Sequence, residues 1–385
     1  MSNPHLERVA ALAPVIASAA DEAERLRRLP DPIVEALHDA GMFRLLLPRS
    51  LGGFEVDPVS FVEVTEAVAK IDGSTEWCLC QNCGCSMVAA YLPPETATEI
   101  FGDSRAVLAW GPGPARAVIA PGGYRVSGTW SFASGMRHAN WLGGHSPIFE
   151  ADGAPRRGPG GKQEQRTMLF PASAATVTDV WRVMGLRGTG SDTFTTDELF
   201  VPQERSVARD DPTERRQSGF LYCFSSRNLY ASGFAGVALG IARAMMDGFV
   251  ELAKAKTPRG YAKPLRENPV VQSRVAVAEA RLAASRSYLM GSLREISDAV
   301  RRTSVLTLEQ RTVIRLASTF AIQEARDVAD LLYRAAGSTS IFESGAFERR
   351  FRDINTVTQQ LQGREMHFET VGRLLLGLEA DQTWM

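Results

Sequence analysis

Gly122-Gly-Tyr-Arg-Val-Ser-Gly-Thr-Trp-Ser-Phe-Ala-Ser-Gly135 is the stretch on which the reading of this chain turns. Gly122-Gly123 predicts a hairpin turn between two strands. The residues after it alternate in the manner of a half-buried strand before running into small hydroxyl and glycine residues. Aromatic side chains on such a strand make a flat wall with a polar corner, suited to a planar ring. The same aromatics also suit the core of a β-sandwich, and the segment alone leaves both readings open.

Working outward, short runs rich in Val, Phe, Thr and Trp alternate with Gly and Pro clusters. They predict strands over 106–110, 117–120, 124–127, 130–133, 167–170, 176–183 and 193–201. The polar, Gly/Pro-rich segment 150–166 predicts a surface loop, and the polar run 209–217 a hinge into a last domain. On both sides of this β region the pattern is helical. Val9, Leu12, Ile16, Ala19, Ala23 and Leu26 recur at steps of three and four, one apolar helix face. Asp31-Pro32 and Asp57-Pro58 each read as an N-cap followed by proline at the first helical position, and Gly41 and Gly73 as the stops of those helices. Residues 77–91 continue helically until Pro93-Pro94. Beyond residue 216 four stripes appear: 234–252, 271–296, 316–332 and 368–378. Four amphipathic helices bury such stripes best as a bundle. The expected architecture is α+β: an N-terminal helical domain over 1–105, a middle antiparallel β-sandwich or barrel over 106–215, and a C-terminal four-helix bundle over 216–385.

The chain has 385 residues, with 43 basic against 44 acidic side chains and a net charge of −1. No run of either sign stands out, which argues against nucleic acid or an anionic membrane as the partner. No stretch of about 18 apolar residues is evident, and the first residues lack a basic segment followed by an apolar one. The expectation is a cytoplasmic protein. Of five cysteines, Cys78, Cys80, Cys83 and Cys85 are clustered. Cys80-x-x-Cys83 has the spacing of half a zinc site, but a helix fans four such residues around its axis. They read as small packing or pocket residues, with no metal expected. His5, His38, His138, His145 and His367 contain no His-x-x-x-His pair, and the chain has no Gly-x-Gly-x-x-Gly, Walker loop or Gly-x-Ser-x-Gly. These absences argue against a zinc hydrolase, a dinucleotide fold and a hydrolase elbow.

Taken in order, the motifs resemble the acyl-CoA dehydrogenase superfamily over nearly the whole chain. They are residues 37–54 (LHDAGMFRLLLPRSLGGF), Trp110-Gly-Pro-Gly-Pro114 with residues 124–135, Met184-Gly-Leu-Arg-Gly-Thr-Gly-Ser-Asp192 through Phe200-Val-Pro202, and Ala336–Phe342 with Glu348–Asp353. The resemblance implies a homotetramer built around flavin, with Trp110, Gly111, Phe132, Ala133 and Ser134 facing the cofactor. It also implies that Gly337 and Ser338 lie on the stretch that meets a neighbouring subunit's flavin. Lys256, with Lys254, Arg259 and Lys263, is placed to meet flavin phosphates or to be a solvated basic loop. Trp77, Cys80, Gln81, Trp141 and His367 are the expected substrate-pocket residues.

A dehydrogenase of this family needs a carboxylate base, in many members a Glu in Tyr-Glu-Gly. In the matching stretch here, Asp-Ile-Asn-Thr-Val-Thr-Gln-Gln-Leu-Gln-Gly over 353–363, glutamine and leucine occupy those positions and neither can be the base. The nearby Glu365 is displaced by two to four residues, which on a helix points it elsewhere. The Trp-x-Phe-x-Ser-Gly pattern at 130–135 and His138-Ala-Asn-Trp141 resemble instead the flavin-dependent monooxygenases of the same fold, the oxygenase components of two-component systems. That resemblance implies reduced FMN or FAD delivered by a separate NAD(P)H-flavin reductase. O2 is the co-substrate, and oxygen passes through a flavin C4a-(hydro)peroxide to a small aromatic or apolar substrate. Ser134 and His138 become catalytic candidates, with Gln360 where that branch often has His. Gln360 cannot shuttle a proton near neutral pH, so either His138 or His367 takes over the proton work or the reaction needs none from this side, and His138 reads equally well as a hydrogen-bonded residue at the end of a strand. The alternatives are a dehydrogenase or oxidase with a relocated base, or a non-catalytic protein on the flavin fold.

Overall fold

The computed structural model describes residues 3–158, 160–383 and 385. The readings of Met1-Ser2 as the chain's start and of Pro159 within the 150–166 loop lie outside these. The first helices are α1 (Pro4–Leu26), α2 (Asp31–Asp39), α3 (Pro58–Ile71), α4 (Gly73–Ser86) and α5 (Pro94–Phe101). Helix α1 buries Val9, Leu12, Ile16 and Ala23 as its spacing requires. Asp57 caps α3 by accepting from the Val59 and Ser60 amides at 3.0 and 3.1 Å. Two expected boundaries shift by a residue or more. Pro30, not Asp31, precedes α2 and makes no side-chain cap. Gly73 opens α4 rather than closing α3, because Asp72 accepts from the Thr75 amide at 2.7 Å and starts a new helix there.

The strands are β1 (Leu108–Gly111), β2 (Ala115–Ala120), β3 (Gly123–Trp130), β4 (Trp141–Phe149), β5 (Gln165–Pro171), β6 (Thr176–Thr178), β7 (Thr193–Pro202) and β8 (Ser206–Val207). They pair in the order β6-β7-β3-β2-β4-β5-β8, with β1 beside β4. Most pairings are antiparallel, but β4 takes both β1 and β2 as parallel partners. The sequence reading missed β4, whose Gly143-Gly144 and Pro147 disguise its period. It also gave 130–133 a strand of its own. In fact β3 runs on to Trp130 and the chain leaves the sheet there, with Phe132 in the left-handed region at φ 58°. Trp130 is the centre of this layer's core, fully buried and stacked on Phe194 with centroids 5.1 Å apart. Of the 150–166 segment, residues 165 and 166 begin β5, and the described residues before them form an irregular, mostly exposed excursion held by bridges at Phe149–Pro155 and Arg157–Gln163.

The last region comprises α6 (Ser226–Ala255), α7 (Pro269–Thr303), α8 (Leu308–Ala336), α9 (Glu348–Gln359) and α10 (Met366–Leu375). Capping boxes at Ser225/Asn228 and Thr307/Gln310 begin α6 and α8, each satisfying amides the helix leaves open. Helix α6 is long and apolar enough to cross a membrane, contrary to the sequence reading, yet 94% of that stretch is buried inside the protein. It is the hub of the molecule. A Cβ on Gly236 would lie 2.1 Å from Thr65 Oγ1, and one on Gly240 2.4 Å from the Glu66 carbonyl, so only glycine lets α6 lie this close to α3. The fourth stripe, 368–378, falls on α10 and runs past its end, where Leu375, Leu376 and Leu378 are exposed, while α9 is a helix that the stripes did not predict. The fold is thus α+β, with helices, sheet and helices in chain order; the two helical regions share one core and the sheet has a second.

Candidate active site

A cavity of about 380 Å³ opens where the three regions meet. Helix α4 contributes Trp77 and Gln81. The sheet contributes Trp110, Gly111 and His145, and the loops that leave it contribute Pro112, Phe132, Ser134, Trp181, Leu186 and Ser191. The start of α6 and the segment before it contribute Arg209, Arg227 and Tyr230, and the end of α9 with the turn after it contributes Thr356, Gln359, Gln360, Leu361, Gln362 and Arg364.

At one end, side-chain hydroxyls form a chain with a fixed direction. Thr189 Oγ1 donates to the Leu186 carbonyl at 2.8 Å, which leaves it only an acceptor for Ser191 Oγ at 2.7 Å. Ser191 must then accept from Ser134 Oγ at 2.7 Å, and Ser134 accepts from Trp77 Nε1 at 3.0 Å. Each hydroxyl has one proton, so one carbonyl orients three of them. The segment carrying Leu186 and Ser191 is tied to the bundle by Asp353, whose Oδ1 accepts from the Leu186 amide at 2.6 Å. Burial, with Asp72 and Glu24 nearby, pushes the Asp353 carboxyl up to about 7 despite that bond. Beside this end Phe132 is 64% exposed and meets Trp181 edge-on at 6.0 Å. A large apolar ring held out in a strained backbone conformation asks for a flat partner. A flavin ring fits that demand.

Another part of the lining is cationic. Arg209 stacks over Trp110 with its guanidinium 4.9 Å from the ring centroid, and Trp110 lies 5.1 Å from the His145 ring. His145 Nδ1 pairs with Thr167 Oγ1 at 2.8 Å. Burial, then Arg209 and Arg227, hold this imidazole well below its ordinary value, and therefore neutral. Tyr230 donates its hydroxyl to the Gln81 carbonyl at 3.1 Å, fixing α6 against α4. The lining residues include three arginines and no carboxylate.

Of the residues singled out from sequence, the cavity brings together Ser134, Gln360, Trp110, Gly111, Phe132, Trp77 and Gln81. Ala133 is fully buried beneath them. Gln360 uses its Oε1 to accept from the Gln362 amide at 2.6 Å, so it shapes its own turn. His138 lies elsewhere: its Nε2 pairs with Asn82 Oδ1 at 3.0 Å and its ring packs on Phe43. Asn82 Nδ2 donates to the Leu108 carbonyl, so Oδ1 accepts and His138 Nε2 carries the proton. Burial, then His38, lowers the His138 imidazole to about 3. His367 sits under the cavity floor, donating from Nε2 to the Leu361 carbonyl at 2.8 Å, and burial lowers it to about 4. Trp141 packs under the Arg205 guanidinium at 5.4 Å.

Cys80 is fully buried, as are its three neighbours. Cys83 Sγ donates to the Met42 carbonyl at 3.2 Å and Cys85 Sγ lies 3.4 Å from the Tyr230 hydroxyl, so the cluster fans out in separate directions. Among the described residues no group of three or more His, Cys, Asp or Glu is placed to hold a metal ion. Lys256 donates to the Ala336 carbonyl and Thr339 Oγ1, both at 2.7 Å. This ties it to the Gly337–Ser338 turn, outside the cavity. Sequence reasoning missed His145, Arg209, Arg227, Tyr230 and Trp181. A lone imidazole in an apolar strand and an arginine opening the most apolar helix were the signals available.

The family models for the acyl-CoA dehydrogenase N-terminal and C-terminal domains match residues 8–99 and 232–363. Indole-3-acetate monooxygenase of Pseudomonas putida is 29% identical over 92% of this chain and 89% of its own. The oxygenase subunit HsaA of a flavin-dependent monooxygenase from Rhodococcus jostii is 28% identical over 91% and 92%. XiaF from Streptomyces sp., solved in complex with FADH2 and glycerol, superposes with a TM-score of 0.90 at 27% identity, covering 97% and 95%. With helices, sheet and helices in that order and a carboxylate-free cavity, the chain belongs to the acyl-CoA dehydrogenase superfamily, in its branch of flavin-dependent monooxygenases.

Proposed function

We propose that this chain is the oxygenase component of a two-component system. It takes reduced flavin from a separate NAD(P)H-dependent reductase and places one atom of O2 on a small aromatic substrate. The observation that carries this is a cavity with a flat aromatic wall and a hydroxyl chain but no carboxylate among its lining residues. A dehydrogenase on the same fold needs a base at the substrate's α-carbon, and the turn from Gln359 to Gln362 offers only amides and a leucine. The indole-3-acetate and HsaA relatives support the oxygenase reading, and the FADH2 held by XiaF favours FAD over FMN.

Bound reduced flavin supplies the activated oxygen. Trp110, Gly111, Phe132 and Ala133 would hold its ring, with Ser134 Oγ at its reactive edge. The chain's own contribution is positioning and exclusion of water. Trp77, Trp181 and Leu186 wall the site. Ser134, accepting from Trp77, keeps a proton that turns from Ser191 toward a bound ligand by rotation of one hydroxyl. The neutral state of His138 and their placement keep His138 and His367 out of proton transfer, and they support the site's walls instead. Lys256, Gly337 and Ser338 would meet a flavin across a subunit contact in a homotetramer, a reading supported by Ile341 and Phe342, 61% and 59% exposed beside them. Supply of reducing equivalents from NAD(P)H suits a cytoplasmic setting.

The test is a single turnover: protein loaded anaerobically with reduced FAD or FMN is mixed with O2 and an aromatic acid. Reoxidation slower than that of free flavin, with an oxygenated product, is expected. Reoxidation at the free rate with only H2O2 formed refutes the proposal, and bleaching of oxidised flavin by an acyl-CoA would establish the dehydrogenase alternative.

A further inference from the structure

Leu186 is a backbone hub beneath the cavity wall. It sits in the left-handed region, at φ 52° and ψ 37°, where a branched side chain stays only if the surrounding bonds hold it. Its carbonyl accepts from the Thr189 amide at 3.2 Å, the Thr189 hydroxyl at 2.8 Å and the Trp181 indole Nε1 at 3.0 Å. The amide bond closes the turn, and the indole bond sets the ring that meets Phe132 edge-on. From the Thr189 hydroxyl the chain passes through Ser191 to Ser134, where the Trp77 indole also donates. Two cavity indoles and three hydroxyls are therefore joined to one buried carbonyl.

The other side of Leu186 is held from the bundle. Its amide donates to Asp353 Oδ1 at 2.6 Å, so bonds on both sides of the Cα fix φ and ψ together. Asp353 is only 2% exposed and stands on α9, three residues before Thr356, which lines the cavity; that spacing puts both on one face. The two segments meet backbone to backbone. A Cβ on Gly185 would lie 2.2 Å from the Arg352 carbonyl oxygen, and Arg352 Nη1 donates to the Met184 carbonyl at 2.6 Å. Without an acceptor at 353 the Leu186 amide would be buried and unpaired, and the strained turn would lose the bond on its N-terminal side.

We propose that Asp353 is a positioning residue for this site: by holding the Leu186 amide from α9 it sets the Leu186 carbonyl, and through that carbonyl the Ser134 hydroxyl and the Trp181 indole that face the ligand. Ser134 then enters the cavity as a donor whose proton rests on Ser191 until a ligand acceptor takes it. The inference rests on the proposed oxygenase activity for the identity of that ligand, reduced flavin, but the positioning is measurable without flavin.

The first measurement is fluorine NMR of the flavin-free protein labelled with fluorotryptophan, the Trp77 and Trp181 signals being identified from Trp77→Phe and Trp181→Phe. Both signals are expected to shift in Asp353→Leu, although each indole N–H is given to another acceptor. They should return close to their native positions in Asp353→Asn, which keeps an oxygen for the Leu186 amide. Asp353→Ala replaces the leucine variant if that one does not fold. Thr189→Val, which cuts the chain between Leu186 and Ser191, is expected to shift Trp77 and leave Trp181 in place. The second measurement is anaerobic titration with reduced FAD and reduced FMN. The dissociation constant should rise about fivefold in Asp353→Leu and in Ser134→Ala, and no further in the double variant, because the two act along one chain. Unmoved fluorine signals in the apolar variant overturn the inference, and so do losses of affinity that multiply in the double variant; either leaves Asp353 as an anchor of α9 alone. The two readings fail separately. Indole signals that follow Asp353 in a protein without affinity for reduced flavin sink the oxygenase reading and uphold the positioning role. Oxygenated product from an Asp353→Leu protein with unmoved signals does the reverse.

Discussion

His138 and His145 are seven positions apart in the same region of the chain, and both are neutral because of burial, yet they do different things. His138 lies just after the Ser134 turn and looks from its neighbours like part of the site. It donates instead to Asn82 Oδ1 and holds α4 against the sheet. His145 lies in the middle of β4, among glycines and a proline that hide the strand, and it faces the cavity. Nearness to a motif along the chain did not decide which histidine reaches the ligand. Their places in the fold did: His138 ends the short turn before β4, whereas the pleat of β4 turns His145 toward the cavity.

The sharpest way to break this contrast is to spoil β4 itself. A Cβ on Gly144 would sit 2.6 Å from the Trp130 ring, and Trp130 donates to the His145 carbonyl at 3.1 Å. Gly144→Val is expected to cost about 3 kcal/mol by urea denaturation, since a buried indole has nowhere to move. An unchanged midpoint would mean that β4 is not held as described.

Next comes the partner of His138. Asn82→Leu strands both the His138 Nε2–H and the Leu108 carbonyl, and should cost about 2 kcal/mol of stability. His145→Leu is expected to show the opposite balance, with stability changed by about 1 kcal/mol or less and turnover lowered several-fold, since His145 lines the cavity. If Asn82→Leu impairs turnover while leaving stability alone, the assignment of His138 to structure is wrong.

The pH dependence sharpens the same point. His138 is lowered to about 3 when folded, against 6.5 in an unfolded chain. Between those values the unfolded chain binds a proton that the folded one refuses, so stability is full above pH 6.5 and falls as the pH drops. The slope for one such group is at most about 1.4 kcal/mol per pH unit. His138→Gln, measured by urea midpoints at pH 7, 6 and 5, is expected to lose less stability on acidification than the unaltered protein. An identical slope would show that His138 titrates freely. The smallest effect is predicted for Cys80→Ala, about 1 kcal/mol from a small void beside Gly233, with product yield unchanged.

Much of the architecture was legible because periodicity is local. The stripes of α1, α3, α6 and α8, and the Asp57 cap, follow from residues within a few turns of one another. What escaped was local pattern overruled by distant contacts: β4, whose glycines exist to admit the Trp110 and Trp130 rings, and the residue 130–133 segment, which leaves the sheet. Part of the cavity was also legible, since Trp110, Phe132 and Ser134 lie in motifs that carry the resemblance to flavin proteins, and Trp77, Gln81 and Gln360 stand at positions to which that resemblance points. Its cationic part was not. Arg209 belongs to a polar run that reads as a hinge, and Arg227 to the first turn of a helix whose apolar stripe draws the eye.

By itself the sequence determined the class of the protein. Helical and strand periods in that order, a carboxylate missing from one turn, and aromatic and hydroxyl residues ending one strand are local facts that survive without coordinates. Only tertiary structure decided which side chains share a cavity. Charges from the segment before α6, an imidazole from β4 and an indole from β1 converge through contacts between elements far apart in the chain, and no spacing rule encodes a distance across a fold.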